Sequence, residues 1–351
     1  MKVLFRTVYL ALAIGVALPA AASDPAGAQE LTVNSWGGSF QALQREHVFE
    51  SFAEETGISV TELSDGETMF ARARLQVESG TAVMDVMMGD ASWLSAGEAL
   101  DLWAPVDSTV VPVNALYDDA VASHGVAALY WSFNIVSNTE RVSEAEAPTT
   151  WEEVWAFAAQ NPGRVALFGP RPNYVIEVAL MADGVPMEEV YPLDEAKLAR
   201  AYASLDRVRD RVIWYETGDQ AQRLLSSGEA LVAMFYNGDT FQLIDQGVPL
   251  RLTWNQGILT RDYWLVLANA ENPHAAQAFM AHASRPEVQA AFARATGFGP
   301  TNPASIDLLG DVADRMPTTV ANKAVQLSYD HAWWGPREQD LLTAWLAWLQ
   351  G

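Results

Sequence analysis

Glu30–Val60 reads ELTVNSWGGSFQALQREHVFESFAEETGISV, and the rest of the chain can be assembled around it. Leu31 and Val33 alternate with polar residues, as a short half-buried strand requires. Gly37 and Gly38 follow, where the chain can turn tightly or let a ligand approach its amides. Ser39 is placed to cap a helix. Phe40, Leu43, Val48 and Phe52 fall on about half of a helical circumference, with Phe49 off that face. Gly57 ends the helix, and Ile58 and Val60 begin a second strand. A strand–turn–helix–strand unit of this kind opens an α/β sheet, and ligands bind at the loops beyond the carboxyl ends of such strands. Trp36 therefore stands either in a packed turn or at a ligand.

Working outward, 351 residues, half of them apolar, are enough for two α/β lobes and a sizeable core. Residues 1–28 read as a secretory leader: Lys2 and Arg6, an apolar run Val8–Leu18, then small-residue cleavage patterns ending at Ala22 and at Ala28. The apolar run is too short for a spanning helix. An exported, soluble mature chain is expected. The absence of cysteine excludes disulfides, thiolate–zinc sites, a cysteine nucleophile and a Cys-linked lipid anchor. The formal charge of −23 hardly changes when the leader is removed. Such a surface repels nucleic acid and anionic membrane.

A helix within Ser64–Gly80, a strand Val83–Met88 with Asp85 inside it, and a loop Gly89–Ser92 before a helix at Trp93–Leu100 continue the α/β rhythm. Asp90 is a candidate for a ligand contact or for a helix N-cap. Val126–Asn138 exceeds an ordinary strand and reads as a crossover into a second lobe. That lobe covers 135–258, with a loop Gly169–Asn173 after one strand and Asn237-Gly238-Asp239 after another. A strand Leu250–Trp254 ends it, and a separate strand Tyr263–Ala268 returns to the first lobe. The expected organisation is 29–134 plus 259–313 for lobe one, 135–258 for lobe two, and tryptophan-rich C-terminal helices, 314–351, packed on a lobe.

The strand–WGG–helix opening, the phrase PTTWEEVW and the run from Leu265 to Pro303 ending GFGPTNP together resemble the periplasmic solute-binding proteins of ABC importers, in the polyamine/aminobutyrate/opine-type group. The resemblance implies a two-lobed periplasmic-binding-protein-like fold (type II). Each lobe would be a mixed sheet flanked by helices, with crossover strands as a hinge and a ligand in the cleft. It implies no cofactor, no metal and no enzymatic activity. It implies a monomer that delivers a small-molecule ligand to a permease in the inner membrane. Position by position it implies a ligand site of Trp36 with Gly37, Gly38 and Ser39, and Asp90. Tyr130 or Trp131, Tyr236, Trp254, and Asp262 with Tyr263 complete the wall, and Asp90, Asp239 or Asp262 is the acid for a ligand's amino group. Polyamine binders carry two acids on a second-lobe loop, and here those positions fall at Arg171 and Tyr174. An arginine there repels a diamine and suits a carboxylate. The expected ligand is accordingly an ω-amino acid or betaine-like zwitterion rather than a polyamine.

No G-x-S-x-G elbow, H-E-x-x-H pair or phosphate loop is present, and the five histidines have no metal-ligand spacing. The iron-binding relatives' adjacent tyrosines are also missing. The competing reading is an exported carbohydrate-active enzyme, whose two carboxylates need only meet in space.

Overall fold

The computed structural model describes residues 30–351, so the leader and its two cleavage sites lie outside the described residues. Ten strands form one mixed sheet: β1 (Glu30–Asn34), β2 (Ser59–Leu63), β3 (Val86–Asp90), β4 (Val121–Ala122), β5 (Gly125–Asn138), β6 (Val165–Phe168), β7 (Ile213–Tyr215), β8 (Val232–Tyr236), β9 (Leu250–Val266) and β10 (Leu327–Ser328). The order along the sheet is β2-β1-β3-β9-β5-β8-β6-β7. Helices pack against the sheet, and the buried side chains form one large cluster with a small second one at Ala290, Ala293, Leu309 and Met316.

The long antiparallel pair β5–β9 organises this sheet. Its first part pairs β5 residues Gly125–Phe133 with β9 residues Ile258–Leu265, and its second pairs Ile135–Asn138 with Leu250–Thr253. Between them the register jumps, so that Trp254, Asn255, Gln256 and Gly257 stand opposite Asn134 alone. Gln256 sits in the left-handed region, φ 59°. The backbone carbonyl of Gln256 accepts the Trp151 indole N–H at 2.8 Å, and its side-chain oxygen accepts the Trp151 amide at 2.9 Å. The two return strands expected from sequence are thus one strand with a break in its pairing. The sequence shows this break only as polar Asn255-Gln256-Gly257 between two apolar runs.

Strand direction then sets the position of the cleft. β1, β2 and β3 run parallel to one another, and β3 is antiparallel to β9. β6 and β7 are parallel to β8, which is antiparallel to β5. The two groups therefore point their carboxyl ends toward each other across the middle of β5–β9. The loops that bind ligands in open α/β sheets converge there.

The opening unit folds as read, with two differences. A helix spans Gly38–Gln44, a π-helical turn Arg45–Phe49, and a helix Glu50–Thr56 ended by Gly57 at φ 73°. The wider turn shifts the phase by a residue. It brings Phe49, off the helical face by simple periodicity, into the core beside Val48 and Phe52. Gly37 is the N-cap, at φ 78°, and Ser39 lies exposed inside the first turn without capping it. The C-terminal chain touches both sides of the cleft. Helix His331–Trp334 lies against helix Ala91–Glu98. Helix Glu338–Gln350 buries Trp345 against Trp214, with ring centroids 5.6 Å apart.

Candidate ligand-binding cleft

A cavity of about 340 Å³ lies where the strand ends converge. Seven of the residues expected at a ligand line it: Trp36, Asp90, Trp131, Arg171, Tyr236, Asp239 and Asp262. Strand parity explains the middle of the wall. Leu129 is paired with Asp262, and Trp131 lies two residues along β5 from Leu129, so all three face the cleft. Tyr130 and Tyr263 have the opposite parity and lie on the other face, packed against Arg261.

Asp262 is fixed by two indoles. Trp131 Nε1 donates to Oδ1 and Trp36 Nε1 to Oδ2, each at 2.7 Å. One indole comes from the turn after β1 and the other from the crossover strand, so this carboxylate ties the opening turn to the central pair. Burial raises its pKa, the nearby Asp90 adds to the rise, and the two indole N–H groups and Arg171 offset it only in part; the result is about 7. Asp239 is raised to about 6 by burial, with Asp219 adding to it and a hydrogen bond from Gln222 opposing. Both carboxylates gain from a cation brought into the cavity, because it would compensate the desolvation they already carry.

Arg171 is buried at another part of the wall. Its Nη2 donates to Asp90 Oδ2 at 3.2 Å and its Nη1 to Glu338 Oε1 at 3.3 Å. Nε is buried with no hydrogen-bond partner among the described residues, and Glu67 Oε2 lies 4.0 Å from it. Burial opposes the guanidinium charge, but Glu67, Asp90, Tyr174 and Glu338 outweigh it and hold the pKa well above the ordinary value. The guanidinium carbon lies 5.8 Å from the ring centroids of both Trp93 and Tyr174. Asp90 takes both roles foreseen for it. It caps the helix after β3, accepting the Ser92 amide at 2.8 Å, and its second oxygen faces Arg171 in the cleft.

The remaining expected residues stand apart from the cavity lining. Gly37 donates its amide to Gln41 Oε1 at 2.9 Å, so the turn is closed by its own helix rather than left bare. Gly38 and Ser39 point to solvent. Tyr174 is fully buried behind Arg171, with its hydroxyl donating to Asp90. Tyr130 donates to Asp119, and Tyr263 accepts from Arg261 Nε at 2.7 Å. Trp254 lies in the unpaired part of β9, its ring 6.1 Å from that of Phe241.

The cavity also includes residues the sequence reading passed over. Phe40 belongs to the opening helix and packs edge-on to Phe298 at 5.7 Å, and both line the cleft. Phe168 closes β6, and Glu216, Thr217 and Gly218 follow β7 directly. Glu67 and Gly66 sit on the 3-10 turn that begins the helix after β2. Each except Phe298 and Phe40 lies just past or at a strand end, a signal already used at Trp36 and Asp90 and not applied to these loops.

The chain belongs to the family of bacterial extracellular solute-binding proteins, whose model matches residues 47–323. It is 29% identical over 338 residues to the gamma-aminobutyric acid-binding protein of Pseudomonas aeruginosa, covering 95% of this chain and 94% of that one. Among solved structures, the Atu4243-GABA receptor is 31% identical with a TM-score of 0.83, covering 92% of this chain and 98% of that one. The binding protein AgtB of A. tumefaciens R10 in complex with agropinic acid is 27% identical, with a TM-score of 0.82 and coverage of 92% and 99%. These relatives are solute-binding proteins, not enzymes. The two-lobed type II fold expected from the sequence is the fold of these neighbours.

Proposed function

We propose that this chain is the ligand-capturing component of an ABC importer for a small ω-amino acid of the 4-aminobutanoate kind. One observation carries the reading: a buried guanidinium with a spare donor and a carboxylate held by two indoles line the same cavity. A zwitterion answers both. Its carboxylate takes the Nε side of Arg171, displacing the half-exposed Glu67 carboxylate that stands 4.0 Å away, and its ammonium takes Asp262 against the aromatic wall of Trp36, Trp131 and Tyr236. A cation over an aromatic face adds about 0.5–2 kcal/mol. The likeness to a gamma-aminobutyric acid-binding protein and to the Atu4243-GABA receptor supports the same ligand class. A diamine would place its second ammonium against Arg171. The chain acts in the periplasm after loss of its leader, as a monomer, and passes its ligand to an inner-membrane permease. The lobes, divided near residues 134 and 258, close on the ligand about the crossover strands.

Thermal unfolding with a panel of ligands tests this. A ligand at a hundred times its dissociation constant stabilises the folded state by about 2.7 kcal/mol. 4-Aminobutanoate and its near homologues are expected to raise the midpoint more than putrescine, glycine betaine or butyrate. Strongest stabilisation by putrescine, or none by any member, would overturn the proposal.

A further inference from the structure

Glu338 lies outside the family-matched segment, which ends at residue 323, yet it reaches the guanidinium that lines the cleft. Its placement is built. The chain turns at Gly335 so close to helix Ala91–Glu98 that an added Cβ would stand 2.7 Å from the Ser95 Cβ and 2.8 Å from the Ser92 carbonyl oxygen. Three residues later Glu338 accepts a hydrogen bond from Ser92 Oγ on one oxygen and faces Arg171 Nη1 with the other. The far end of the same helix is anchored by Trp345, whose indole donates to the Gly169 carbonyl at 2.8 Å, on the loop that also carries Arg171. One short helix thus clamps the arginine loop from two points.

The consequence is electrostatic. A guanidinium presents donors on two edges in a fixed fork. Here Asp90 takes Nη2 and Glu338 takes Nη1, while Nε makes no hydrogen bond among the described residues and faces Glu67 Oε2 at 4.0 Å. Three carboxylates, Asp90 and Glu338 within 3.3 Å and Glu67 at 4.0 Å, also more than balance its charge. An incoming carboxylate finds a directional donor but little net positive potential.

We infer that Glu338 is a positioning residue for ligand selection: it fixes Arg171 and compensates its charge, so that the cleft admits a carboxylate accompanied by an ammonium and turns away a ligand with two anionic ends. This deepens the ω-amino acid reading and rests on it. Glutarate is the discriminating probe, because a carboxylate stands where 4-aminobutanoate has its amine. Removing the Glu338 charge favours the dianion more than the net-neutral zwitterion.

The test is isothermal titration of the full chain with both compounds, for the native protein, Glu338→Gln and Glu338→Asp. The native chain is expected to prefer 4-aminobutanoate. In Glu338→Gln the ratio of affinities should move toward glutarate by about tenfold or more, a size set by one unit charge a few ångströms away at intermediate dielectric. Glu338→Asp, which keeps the charge but withdraws it by one methylene, should fall between. If Glu338→Gln does not fold, the shift in Glu338→Asp decides in the same direction. An unchanged ratio, or glutarate still undetectable in Glu338→Gln, overturns this inference while the ω-amino acid reading stands. A native chain that binds neither compound overturns both.

Discussion

The two faces of the β5–β9 pair each set a carboxylate against aromatic rings and resolve its charge in opposite ways. On the back face Tyr130, Arg261 and Tyr263 surround Asp119, which accepts from the Tyr130 hydroxyl and faces Arg261 and Lys323 at 3.4 Å each. Burial pushes the Asp119 carboxyl up, but that hydrogen bond and the two cations outweigh it and hold it below the usual range. On the cleft face, one residue along each strand, Trp131 and Asp262 replace Tyr130 and Arg261. Asp262 has donors on both oxygens but no cation closer than the already committed Arg171, and its pKa stands at about 7. The back face is electrically finished. The cleft face lacks one cation, and in the proposed function a ligand ammonium would supply it.

The largest effect that would break this contrast is expected at Asp262. Asp262→Asn should weaken 4-aminobutanoate binding by about a hundredfold or more, since a buried charge partner is worth about 2–5 kcal/mol. Asp119→Asn should leave affinity unchanged in the same titration. Equal losses would mean the two faces are not distinct. A next-smaller effect concerns pH. The ligand ammonium favours ionised Asp262, so affinity should rise with pH up to about 7 and then level, changing up to about tenfold per unit below that point. A profile that falls with rising pH over this range would contradict the assignment.

Smaller again is the loss at the neighbouring rings. Trp131→Phe removes one indole donor and part of the aromatic wall, and should cost about tenfold in affinity. Tyr130→Phe removes the hydroxyl bonded to Asp119, and should cost about 1 kcal/mol of stability with no change in affinity. Measuring both by titration and urea unfolding separates the faces side by side.

An effect on stability alone sharpens what a raised carboxyl means. Glu177 is fully buried, and burial lifts its pKa to about 7 even though Tyr191 and Trp334 donate to it, the latter at 2.6 Å. It does not line the cleft. Because the folded-state pKa lies above the ordinary carboxylate value, its protonated form fits the fold without penalty at low pH. The cost of ionising it in place builds up as pH rises from about 4.5 toward 7, at no more than about 1.4 kcal/mol per unit. Stability should therefore decline over that window, and Glu177→Gln should flatten the decline while leaving ligand affinity unchanged. A raised carboxyl marks burial; only the cavity makes it a site.

Most of the architecture could be read from residue order. Glycine stops, apolar runs and the Thr150–Glu153 capping box each left a local signal. The π turn at Arg45–Phe49 did not, because its one-residue phase shift leaves the same residue types in place. Nor did the fusion of two strands into β9, since the polar break at Asn255-Gln256-Gly257 reads locally as a loop. Parity limited the site. Two adjacent aromatics, Tyr130 and Trp131, must face opposite ways, and sequence alone does not say which way. Arg171 stands out in the sequence because it falls where the polyamine binders that the chain resembles are expected to carry an acid. Its burial between Asp90 and Glu338 could not be found, because those partners lie 81 and 167 residues away in sequence. That burial also changes the meaning of Arg171→Ala. A loop arginine that only met the ligand could be removed without harm to the fold; this one strips the buried carboxylates of Asp90 and Glu338 of their partner and should cost stability as well.

The central claim is that a ligand ammonium completes the charge of Asp262. 4-Aminobutanoate has no group of its own that titrates near pH 7, so any proton exchanged on binding comes from the protein. Calorimetric titration at pH 7 in two buffers of different ionisation enthalpy measures that exchange. Release of about half a proton per ligand bound, abolished in Asp262→Asn, is the expected result. A binding enthalpy independent of buffer, or proton uptake, would contradict it.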